Sequence, residues 1–88
     1  MRAVESDGYT FYFLYDRNRA DELHISRRIG IDVEIAIDTF FDGTHNEDSR
    51  HRRFECYTET HGVYWTWLHG DATSTNVLMI SCFRQEGG

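Results

Sequence analysis

The stretch GIDVEIAIDTFFDG, residues 30–43, decides the fold. With a period of two, Ile31, Val33, Ile35, Ile37 and Phe41 alternate with polar positions, as in a strand. With a period of 3.6, Val33, Ala36, Ile37, Phe40 and Phe41 make one unbroken apolar stripe. Length separates the two patterns: residues 31–41 outrun an ordinary strand and suit a helix. Asp32 is a good N-cap and Gly43 a good stop. The segment is therefore expected to be helical, against the preference of its β-branched residues.

Toward the N-terminus, YTFYFLY, residues 9–15, reads as a strand rich in aromatic side chains. Asp16 is placed to cap a first helix over 16–28, with Ala20 and Leu23 inward and Gly30 ending it. Toward the C-terminus, THNEDS, residues 44–49, reads as a polar loop. Strands are expected over 51–59, 62–68 and 75–83, the last apolar on both faces and the most buried. The expectation is a single α+β domain over 1–88, with 1–8 and 85–88 as frayed tails. Its order is one strand, two short helices, then a three-stranded antiparallel meander, with both helices packed on one sheet face.

The chain has 15 acidic and 9 basic residues, a net charge of −6, and every basic residue is arginine. Such a surface opposes a phosphate backbone unless its arginines gather on one face, and it suits a basic partner. Apolar residues make up 40 %, enough for one core. No segment has the length to span a bilayer and no apolar leader opens the chain, so a cytoplasmic protein without membrane contact is expected. Cys56 and Cys82 form no CxxC pair and read as reduced core residues. The histidines lack any metal-binding spacing, and no metal or cofactor is expected.

Several short motifs resemble the BrnT-type toxins, ribonucleases of the RelE-like group that pair with a DNA-binding antitoxin. Phe13-Leu14-Tyr15-Asp16 is similar to the acidic end of the family's first strand, and Ala20 with Leu23 to its first helix. Gly30-Ile31-Asp32-Val33-Glu34-Ile35-Ala36, with Phe40 beyond, resembles its second helix; Arg53-Phe54 and Ile80-Ser81 with Arg84 resemble its later strands. The resemblance implies an endoribonuclease in which Arg27, Arg28, Arg52 and Arg53 surround a phosphate, with His24 and His51 as acid–base groups. The chain departs from the family in having Arg28-Ile29, not a basic residue and histidine, before Gly30.

Arg50-His51-Arg52-Arg53 also has a plain structural reading: a strand entrance whose guanidiniums pair with Glu47, Asp48 or Glu55. On the second helix Glu34, Asp38 and Asp42 recur every four residues and make a ridge of like charge. Such a ridge imitates a row of phosphates. With Glu47 and Asp48, and with exposed aromatic rings such as Tyr57 and Tyr64, it makes a surface for a protein partner; Tyr9 and Tyr12 are further candidates. Val63, Trp65 and Trp67 share one strand face and are expected in the core. The reading that fits the charge best is a non-catalytic interaction protein that inhibits a basic, nucleic-acid-handling partner, in the manner of phage anti-defence or anti-CRISPR inhibitors. The ribonuclease toxin is the alternative. A third reading, a ubiquitin-like carrier, draws on the terminal Gly87-Gly88, although such carriers place one helix between two hairpins.

Overall fold

A computed structural model describes residues 1–85. The described residues form a six-stranded mixed sheet with one α-helix on one face, which corrects the expected order of two helices on a three-stranded meander. The strands are β1 (Arg2–Ser6), β2 (Tyr9–Phe13), β3 (Thr44–Asp48), β4 (Arg53–Tyr57), β5 (His61–Trp67) and β6 (Asn76–Arg84). They lie in the order β1-β2-β6-β5-β4-β3. All neighbours are antiparallel except β2 and β6, which run parallel in the middle of the sheet. The single helix, α1 (Val33–Asp42), lies between the β1–β2 and β3–β4 hairpins. Gly87-Gly88, on which the carrier reading draws, lie outside the described residues.

The opening stretch is helical as its stripe requires. Asp32 accepts a hydrogen bond from the Ile35 N–H at 3.0 Å, capping the first turn. A ten-residue helix is marginal alone and is held by what it covers. Ala36, Ile37 and Phe40 are buried against Phe11, Phe13, Val63, Trp65, Val77 and Met79 of the sheet. The carbonyls left free by its last turn find partners: Thr39 O accepts the Gly43 N–H at 2.9 Å and the Cys56 thiol at 3.2 Å.

Gly43 stops the helix for a different reason than the one expected. Its φ of −88° suits any residue, so a left-handed stop is not what selects glycine. A Cβ there would meet Cys56 Sγ at 2.5 Å and the carbonyl oxygens of Thr39 and Tyr57 at 2.8 and 2.9 Å. Glycine is what lets the chain pass from α1 straight into β3 beneath β4.

Three further expectations fail. Residues 1–8, expected to be frayed, contain β1, joined to β2 by the two-residue turn Asp7-Gly8 with φ values of +49° and +85°. Residues 44–49, expected as a loop, contain β3, an edge strand with no apolar side chain. Residues 16–28 do not form a helix. Asp16 accepts the Asn18 N–H at 2.8 Å, and the backbone returns through a Tyr15–Leu23 bridge to a 3₁₀ turn at His24–Arg27. Leu23 and Ile25, two residues apart, are both buried, a spacing no helix face satisfies. Ala20 is exposed.

Gly43→Ala is expected to lower the stability to urea unfolding by several kcal/mol, because two of the three contacts it violates are backbone oxygens that cannot yield. Gly8→Ala, in open space with only its positive φ against it, is expected to cost about 1–2 kcal/mol. Equal losses in the two variants would contradict this account of Gly43.

Candidate functional site

The acidic residues are segregated. Asp32, Glu34, Asp38, Asp42, Glu47 and Asp48 all fall between Arg28 and Arg50, with no arginine among them. The other nine acidic residues equal the nine arginines in number, so the whole excess of −6 belongs to α1, its cap and β3. Glu34, Asp38 and Asp42 are all exposed on α1. Asp38 and Asp42 oppose the negative end of the helix dipole, and no basic side chain balances them in the last turn.

Beside this ridge lies an open cleft of about 730 Å³. Asp38, Thr39, Asp42 and Thr44 form its α1–β3 side, and Tyr57, Thr58, Glu59, Thr60 and His61 its β4–β5 side. Three carboxylates thus line one cleft. His61 Nδ1 is hydrogen-bonded to the Thr60 hydroxyl at 2.8 Å, while its Nε2 is buried with no partner among the described residues. Sequence spacing indicated the helix ridge; Glu59 and His61 join it only through the β4–β5 turn.

The residues expected around a phosphate occupy three places. His24 and Arg27 line one hollow with Leu14, Tyr15, Asp16 and Ile80. The Asp16 carboxyl is held below its usual range, first by the Asn18 N–H and also by the nearby Arg27 and His24 charges. Arg28 lies over the Phe83 ring, 5.7 Å from its centroid. Arg53 lies 3.8 Å from the Tyr64 centroid, within 3.4 Å of Glu55 and 3.7 Å of Asp48. Phe83 and Tyr64 stand 5.0 Å apart, so Arg28 and Arg53 share the helix-free sheet face with two rings between them. His51 and Arg52 belong to the β3–β4 turn and not to the strand expected over 51–59; Arg52 has φ +54° and is exposed.

Of the aromatic residues expected at a partner surface, Tyr57 and Tyr64 are half-buried, Tyr57 donating its hydroxyl to Glu55 at 2.8 Å. Burial, helped by Tyr64 and Glu55, raises the Tyr57 phenol well above its ordinary value. Tyr12 is half-buried on the helix-free face, while Tyr9 turns to the α1 side and packs edge-on against Phe40 at 5.5 Å. The expectation for the tryptophan face holds: Val63 and Trp65 are buried and Trp67 packs against the core.

His45, on β3, has both ring nitrogens engaged. Trp65 Nε1–H donates to its Nδ1 at 2.9 Å, so Nε2 carries the proton, 2.7 Å from Phe40 O. Among the described residues there is no cluster of three or more His, Cys, Asp or Glu arranged to hold a metal, and no helix is long and apolar enough to cross a membrane. No protein-family model, curated protein or solved structure matches this chain.

His51 Nδ1 lies 2.7 Å from Asp48 and holds that carboxyl below its usual range. A lowered carboxyl stabilises the fold above its unfolded value of about 3.9, and this contribution vanishes as pH falls through the lower folded value. Asp48→Asn is expected to melt at a lower temperature than the parent at pH 7, with the gap closing below about pH 4. Burial pushes both the Cys56 and Cys82 thiols up to about 11. At pH 8 both are expected to resist thiol reagents until the protein is unfolded, when two groups react.

Proposed function

We propose that this chain is a non-catalytic binding domain that docks by its acidic α1–β3 face onto a basic protein surface, one built to handle nucleic acid, and blocks it. The observation that carries the proposal is the confinement of the entire charge excess to residues 32–48. Asp48 meets His51 and Arg53, but Glu34, Asp38 and Asp42 along the exposed side of α1 form no ion pair among the described residues. A row of like charge of this kind steers a partner of the opposite sign and repels RNA and DNA. Asp38 and Asp42 add a second support. Like charges four residues apart at the C-terminal end of a helix destabilise it, and a local rule broken on an exposed face is typical of a surface shaped for binding. The Asp38/Asp42/Glu59 cleft is the place where arginine or lysine side chains of the partner enter.

The ribonuclease toxin remains the second reading, supported by the grouping of His24, Arg27 and Asp16 around one hollow. In that reading expression arrests growth, and His24→Ala or Arg27→Ala relieves the arrest.

The binding proposal is tested with Asp38→Asn/Asp42→Asn. Measured by calorimetry against an arginine-rich peptide, the double variant is expected to bind at least about tenfold more weakly, while its melting temperature rises by roughly a few degrees. The parent is expected to leave RNA and duplex DNA unshifted in a gel at low salt. An unchanged peptide affinity in the variant, or RNA binding by the parent with a steep salt slope, would overturn the proposal.

A further inference from the structure

On the other side of the α1–β3 corner from the acidic cleft lies a smaller hollow of about 280 Å³. Its lining is wholly aromatic: Tyr9, Phe40, Phe41, His45, Trp65 and Trp67. Phe40 is 6 % exposed and lies between two pairs of rings. Tyr9 and Phe41 meet edge-on at 5.7 Å on one side, and Trp65 and Trp67 stand at right angles, 5.0 Å apart, on the other. Phe41 is 39 % exposed and Trp67 half-buried, so ring surface is open to solvent at the mouth.

From this lining we infer a binding site for a trimethylammonium group. Ring faces are electron-rich and attract a cation placed among them. The setting reinforces this: no arginine lines the cup, and the elements that build its rim, α1 and β3, carry the molecule's excess negative charge. The lining also selects the kind of cation. It contains no carboxylate, and both nitrogens of its histidine are already engaged. A guanidinium or primary ammonium entering the cup strips water from N–H donors that then find no side-chain acceptor but a single phenol. A quaternary ammonium has no N–H to satisfy and sheds its weakly held water easily. The site does not depend on a basic protein partner, because the cation alone is the ligand. Two sources present this group: a small choline-like molecule, or a trimethylated lysine side chain.

The test uses the full chain, followed by the indole N–H resonances of Trp65 and Trp67. Tetramethylammonium chloride is expected to shift them saturably in a roughly millimolar range, with sodium chloride at equal ionic strength producing no such curve. Choline is expected to bind about tenfold tighter than 3,3-dimethyl-1-butanol, its neutral isostere. Phe41→Ala, at an exposed position, and Trp67→Ala should each weaken choline binding about tenfold. A trimethyllysine peptide that binds tighter than choline assigns the site to a methylated protein; the reverse order assigns it to a small molecule. Equal binding of the neutral isostere, absence of a saturable shift, or full affinity in Phe41→Ala overturns the inference.

Discussion

The parallel pairing of β2 with β6 is the constraint on which the rest of the molecule depends. It joins the β1–β2 hairpin to the β3–β6 meander, and it brings the second strand of the chain beside the last described one. Its inward side chains, Phe11, Phe13, Val77 and Met79, are each at most 1 % exposed. A parallel pair needs a crossover between its strands, and here the crossover carries α1 over the same four side chains. The pairing therefore sets both the sheet order and the face that the helix must cover. Both proposed binding sites lie at the rim of that cover, where α1 ends and β3 begins.

That corner concentrates opposing demands. Gly43 must have no side chain because Cys56 and two carbonyl groups press against it. His45, two residues on, ties Trp65 of β5 to the last turn of α1. Asp42 sits beside both, at the helix end least suited to an acid. A tightly specified backbone thus presents exposed carboxylates on one side and exposed rings on the other. Rigid support beneath a polar or aromatic surface limits the ordering cost that binding imposes.

The legible part of the fold was the part with periodic apolar residues. α1 announced itself through its stripe and its Asp32 cap, β5 through alternation around Val63 and Trp65, and β6 through a run apolar on both faces. β1 also left a sign, Asp7-Gly8, a strong two-residue hairpin signal, but the weakly apolar RAVES before it hid the strand. β3 left none: THNED forms a strand because β4 offers it a register, and nothing in its composition requires one. The 16–28 segment has enough good helix formers to mislead, while the burial of Leu23 and Ile25 by tertiary contacts overrides them. The acidic ridge was visible because it follows helical spacing along one element. The aromatic cup was not, because its residues come from β2, α1, β3 and β5 and share no local pattern.

The polar outer strand β3 has a consequence for how the molecule behaves in a crowd. A sheet edge with unpaired amides invites the edge of another copy and the growth of a continuous ribbon. Here that edge bears Glu47 and Asp48 and no apolar residue, so a second copy approaching it meets charge and finds no apolar side chain to bury. The charge proposed to guide a partner thus also discourages self-pairing along the β3 edge.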